Sequence, residues 1–358
     1  MNFITNIMSK YQEEEDKPKI FKVKNSITKH SYVNSPISHI KALIDDSFAL
    51  FTSKLNQLLL IYSYSDDHIN YSLICYDIKN KCNITKISKA HDNRIFTIIH
   101  FFDKNIKQDL VITSSYDKKI KIWNLLNFTL IFTKIPDYEF KYSTHLLSAN
   151  IVYYDKKYYA LVSAYDLYSN GLDLLYYDYE GNKNTFENSA DKTNHLTVYY
   201  NKDIPYILAG NYKNIKIFDF AQKKLIKTYN DKDKNINYNT VIIYEGEKEV
   251  KELICSCSDG YIRVWDYNSN NFKHAIFSGF DGWLFGLCLI DQKYLLVGCG
   301  NGTIKEYNLD TNHLIYSLDG NSNSGFRIFT IKCYEINGKR FLISHSDKGL
   351  IDIWDEEI

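Results

Sequence analysis

The chain has 358 residues, 45% of them hydrophobic, and 43 basic side chains against 43 acidic ones. It is long enough to bury a sizeable core, and its balanced charge excludes a global field that would draw nucleic acid or an anionic membrane. No apolar run approaches the roughly 20 residues of a membrane-spanning helix, and seven cysteines without a Cys-x-x-Cys pair read as small buried residues of a reducing compartment.

In chain order, residues 1–18 are polar, with Glu13, Glu14, Glu15 and Asp16 near their end, and are expected to be a mobile tail. Residues 19–24 read Lys, Ile, Phe, Lys, Val, Lys, a short strand with no sheet of its own. A first inner strand falls within residues 38–52, its register open. From there an aromatic residue followed by Asp or Asn recurs wherever a strand should end: Tyr76-Asp77, Trp123-Asn124, Tyr177-Asp178, Phe218-Asp219, Trp265-Asp266, Tyr307-Asn308 and Trp354-Asp355. Subtracting successive aromatic positions gives 47, 54, 41, 47, 42 and 47 residues, near the roughly 40 to 45 of a four-stranded propeller blade.

The second unit is the most legible. Residues 95–102 form one strand, residues 110–114 a nearly continuous apolar strand, and residues 120–123 alternate Ile, Lys, Ile, Trp after the turn Ser115-Tyr116-Asp117-Lys118. An outer strand follows near residues 129–133. Polar stretches at 181–194, 230–237 and 319–325 are expected to join outer strands to the next inner strands. Short strands at even spacing, interrupted by only four prolines, predict an all-β chain: a seven-bladed β-propeller of four-stranded antiparallel blades over residues 19–358.

This unit resembles the WD40 repeat family: Ala90-His91 stands where Gly-His is usual, Asp117 occupies the tight turn and Trp123-Asn124 replaces Trp-Asp. The resemblance implies that His91, Thr113, Asp117 and Trp123 are hydrogen-bonded in series, which suits a buried carboxylate that needs a donor. The other six units are degenerate. The fifth keeps Asp259-Gly260 and Trp265-Asp266 but has Cys255 for the hydroxyl residue, and the seventh keeps Ser344 and Trp354-Asp355. Only three residues follow Asp355, so the last blade lacks an outer strand. Residues 19–24 are expected to supply it and close the ring.

Catalytic patterns are missing: there is no phosphate loop, nucleophile elbow or His-Glu-x-x-His, and the histidines have no metal-ligand spacing. The chain therefore reads as no enzyme, with neither cofactor nor metal. A sharper signal is an internal identity, Arg94-Ile95-Phe96-Thr97-Ile98 recurring as Arg327-Ile328-Phe329-Thr330-Ile331 in a chain with four arginines. Alternation puts Arg and Phe on one side of each strand and Ile on the other. In the family such positions line the channel mouth, so Arg94, Phe96, Tyr116, Trp283, Phe285, Arg327 and Phe329 are candidates for an aromatic and cationic face that binds a protein or peptide partner. The alternative use of these rings is as channel-filling core.

The expected function is a scaffold, monomeric within a larger complex, cytoplasmic or nuclear, binding no nucleic acid and not inserted in a membrane. A phosphoinositide- or small-ligand-binding propeller is the alternative. That family's Phe-Arg-Arg-Gly signature is broken here, because Ile328 follows Phe326-Arg327.

Overall fold

Short extended runs separated by turn residues fold back on themselves, and in this computed structural model they do so in groups of four. The structure describes residues 31–32, 38–41, 48–53, 57–65, 69–136, 144–166, 174–187, 189–191, 193–230, 235–246, 251–319, 327–336, 339–346 and 349–357. Seven antiparallel sheets follow one another at 49–91, 95–134, 144–185, 193–229, 238–277, 284–319 and 328–357. Within each, strands pair in sequence order, as hairpin turns dictate. The chain is a seven-bladed β-propeller, and among the described residues it contains no helix.

The core is divided into seven slabs, each lying between two neighbouring blades. This division explains the strand patterns. A second strand such as Gln108–Ser115 is packed on both faces and is almost wholly buried, so it reads as an apolar run. An outer strand such as Lys224–Tyr229 alternates exposed and half-buried residues, with lysines at the solvent edge that discourage pairing with another chain. The slab between the seventh and first blades joins Phe48, Leu60 and Tyr76 to Ile343, Ile351 and Ile353, which closes the ring.

The seventh blade takes its fourth strand from the other end of the chain. Ser38–Lys41 pairs antiparallel with the last strand, Leu350–Glu357, in the register Ser38↔Ile353 to Lys41↔Leu350, and Ser31–Tyr32 continues the edge opposite Glu357 and Glu356. Residues 19–24, expected to close the ring, and the tail at 1–18 lie outside the described residues. The window at 38–52 thus divides between two blades: Ser38–Lys41 belongs to the last and Ala49–Thr52 is the inner strand of the first. One expected loop also contains a strand. Lys183–Thr185, inside the polar stretch 181–194, is the short outer strand of the third blade.

Candidate functional site

The aromatic-Asp/Asn positions fall at the ends of the third strands, and in the second blade they terminate a polar chain. The His91 Nδ1–H donates to Asp117 Oδ2 at 2.8 Å, while Nε2 lies 2.8 Å from the Thr113 hydroxyl, which accepts from Trp123 Nε1 at 3.1 Å. One assignment of protons that satisfies every atom runs from indole to hydroxyl, from hydroxyl to Nε2, and from Nδ1–H to the carboxylate. It requires a neutral imidazole, and burial does hold His91 below the ordinary histidine value despite the pull of Asp117. Burial pushes the Asp117 carboxyl up, but His91 and the backbone N–H groups of Asp92 and Lys119 hold it below its ordinary value. All four side chains are therefore occupied with one another and serve the fold.

A cation two residues before the large aromatic was not singled out in the sequence, although the pattern Ile-Lys-Ile-Trp, Ile-Lys-Ile-Phe, Ile-Arg-Val-Trp and Ile-Lys-Glu-Tyr repeats at 120–123, 215–218, 262–265 and 304–307. Lys121 donates its Nζ to Ala90 O at 2.5 Å, and Lys305 donates in the same way to Ser278 O. In the fifth blade the position holds Arg263, whose guanidinium grips Asp259 through two bonds of 2.7 Å. Asp259 occupies the turn position of Asp117, so an arginine supplies here the donors that His91 supplies in the second blade. The turn itself needs Gly260, with φ at +81°, because a Cβ would fall 2.0 Å from Phe280 O.

The inner strands surround a cavity of about 890 Å³ to which all seven blades contribute. The identical segments in the second and seventh blades do meet it, but not by simple alternation. A β-bulge interrupts the register between Ile95 and Thr97, between Leu284 and Leu287, and between Ile328 and Thr330. Phe96, Phe285 and Phe329 sit within these bulges, which re-aim their rings into the channel, and Ile95 and Ile98 both remain in the core. Phe329 meets Phe285 edge-on at 4.7 Å, Phe285 stacks on Trp283 at 5.8 Å, and Phe96 leans on Tyr116 at 4.1 Å. Trp283 is 45% exposed. Arg94, Tyr116 and Arg327 are not among the lining side chains: Arg94 is half-buried, Arg327 is exposed, and the half-buried Tyr116 packs against Phe96. Across the channel the lining carries amides: Asn150, Asn194 and Asn239 each donate to a backbone carbonyl of the next blade.

The family sequence model described as WD domain, G-beta repeat matches residues 82–124 and 241–266, which cover the complete second-blade network and the Asp259–Arg263 turn. Two stretches of this seven-bladed propeller are thus similar to the WD40 repeat. The crystal structure of Chaetomium thermophilum Raptor is similar to it in fold, with a TM-score of 0.68 at 16% identity over 92% of this chain. The match spans 30% of the Raptor chain. No curated protein sequence matches.

The match at 82–124 begins in the outer strand of the first blade and ends in the third strand of the second. A WD40 repeat is thus out of phase with a blade, and the last blade must borrow its outer strand. The propeller's channel also holds groups that sequence spacing did not single out. Lys332 donates to Phe48 O at 2.7 Å, and burial lowers its ammonium to about 8. His195 is pushed down to about 4 by burial and by the charge of Lys332, so the interior holds a neutral imidazole as well as a cation. Among the described residues, no group of three His, Cys, Asp or Glu side chains could hold a metal ion.

Proposed function

We propose that the chain is a non-catalytic interaction scaffold that presents the aromatic side of its channel mouth to a partner protein or peptide, as one propeller within a larger assembly. WD40 propellers commonly act in this way, but the reading rests here on one observation: Trp283 is 45% exposed at the channel rim, stacked on Phe285, which in turn packs against Phe329. A tryptophan left in water at the edge of a concave site offers a large apolar surface with little rotamer entropy to lose, which is the profile of an interface anchor. Phe285 and Phe329 supply the rigid backing, because their positions are set by bulges rather than by flexible loops.

The test compares Trp283→Ala with Leu314→Ala, a 49% exposed residue on the outer strand of the same blade. Partners captured from extract by the wild-type chain are purified, and their affinities are measured against all three proteins. Trp283→Ala should weaken binding by about 30-fold, equivalent to roughly 2 kcal/mol, with the melting temperature unchanged. Leu314→Ala should bind as wild type does. If Trp283→Ala lowers the melting temperature and leaves binding intact, the ring is core and the proposed face is wrong.

A further inference from the structure

Of the seven cysteines, four behave as the sequence suggests. Cys75, Cys255, Cys257 and Cys299 are buried among apolar side chains, where desolvation raises the thiols of Cys75, Cys255 and Cys299 above the ordinary value. Cys82 is exposed on an outer strand. The remaining two differ from both groups. Cys288, on the inner strand of the sixth blade, and Cys333, on the inner strand of the seventh, both line the central cavity and are half-buried.

Close packing of the two inner strands brings these thiols together. At Gly286 a Cβ would lie 2.9 Å from Ile331 N and 3.0 Å from Phe329 O, so only glycine permits the approach. Two residues further along each strand stand Cys288 and Cys333, and the Cys333 backbone N–H donates to Cys288 Sγ at 3.3 Å. Lys332 faces the same cavity. A second thiol, a backbone donor and a cation around one sulfur are the surroundings that favour a thiolate, and they hold the Cys288 thiol below its ordinary value although burial opposes it.

We propose that Cys288 and Cys333 are a redox-active pair inside the channel: Cys288 reacts with a hydroperoxide, and Cys333 resolves the product into a disulfide joining the sixth blade to the seventh. In the first step the Cys288 thiolate attacks the peroxide, the O–O bond breaks, hydroxide leaves and the sulfur becomes a sulfenic acid. In the second, the Cys333 sulfur attacks that sulfur, the S–S bond forms, and the sulfenic oxygen leaves with the Cys333 proton as water. Two thiols and one hydrogen peroxide give one disulfide and two waters, and a small thiol reductant reverses the change. The proposal does not depend on the partner-binding reading, since it concerns the channel interior rather than its rim.

The experiment uses the full chain, reduced, freed of reductant and treated with hydrogen peroxide, followed by peptide mapping under non-reducing conditions. The expected product is a peptide pair cross-linked between Cys288 and Cys333, formed at protein concentrations too low for links between chains. Cys333→Ser should stop the reaction at a Cys288 sulfenic acid that dimedone traps, whereas Cys82→Ser should leave the cross-link unchanged. Oxidation confined to Cys82, or recovery of Cys288 and Cys333 as free thiols, would overturn the proposal. The wild-type mapping decides the question even if a serine variant fails to fold.

Discussion

The second and fifth blades solve the same problem in two ways. Each places a carboxylate in a tight turn before its third strand, and each must give that carboxylate donors. In the second blade the donor is His91, which enters from the end of the first blade's outer strand and is itself 0% exposed. In the fifth it is Arg263, four residues after Asp259 on the same hairpin, 1% exposed and bidentate. The histidine solution ties together two successive blades and extends through Thr113 to Trp123. The arginine solution is local to one hairpin and leaves Trp265 to be held by packing against Tyr229, Tyr238 and Phe272. A propeller period can therefore survive a change of polar chemistry, provided that the aromatic knob keeps its place.

The sharpest way to break the comparison is to strand one partner. Asp259→Ala leaves the Arg263 guanidinium buried without its counter-charge and should cost about 3 kcal/mol in denaturant unfolding. The reverse change, Arg263→Met, should cost less, about 1 to 2 kcal/mol, because Asp259 is 29% exposed and can turn to water. Equal costs for the two substitutions would mean that the pair is not desolvated on the arginine side. In the second blade, His91→Gln removes the Nδ1–H···Asp117 bond and the acceptor of Thr113, and should cost about 2 kcal/mol. It costs less than stranding Arg263 because Asp117 keeps the N–H groups of Asp92 and Lys119.

The seventh blade extends the series. Trp354 is fully buried, but its Nε1, like the Ser344 hydroxyl, has no hydrogen-bond partner among the described residues. Trp123→Phe gives up a made bond, whereas Trp354→Phe removes a donor that is already unsatisfied. The second change should be milder than the first by about 1 kcal/mol in paired unfolding curves.

How much of this was legible from the chain depends on which physical constraint left a periodic trace. Strand count, blade number and the His91–Thr113–Asp117–Trp123 set are visible, because burial on both faces and a recurring aromatic leave a local pattern. The cation of the third strand was equally periodic, but a lysine amid apolar residues looks the same whether its ammonium points to solvent or reaches back to Ala90 O. At the channel rim, the three phenylalanines follow from an internal identity, but their direction does not, since a bulge shifts the register without changing a residue type. The contact between Cys288 and Cys333 left no trace at all. It depends on two strands from different blades passing close at Gly286, and no spacing along one chain encodes that approach.

The smallest effect separates the two blades by pH rather than by magnitude. Burial holds His91 below its ordinary value, so as the pH falls below about 6.5 the unfolded chain takes up a proton that the folded chain refuses. The stability linked to His91 is thus complete above that pH and declines below it, before any carboxylate titrates. Asp117 and Asp259 are also held below their ordinary value, Asp259 by Arg263 against burial, so their contribution is complete above the normal carboxylate range and is lost only as the pH falls through it. His195, lowered to about 4, acts in the same direction as His91, so the wild-type curve alone cannot assign the slope. The difference between wild type and His91→Gln can. Unfolding free energies measured from pH 8 to pH 5 should converge as the pH falls, because the variant lacks the His91 penalty, while Arg263→Met should stay parallel to wild type over the same range. If the His91→Gln difference instead grows as the pH falls, the imidazole is charged in the fold, and the assignment of its single proton to Asp117 is wrong.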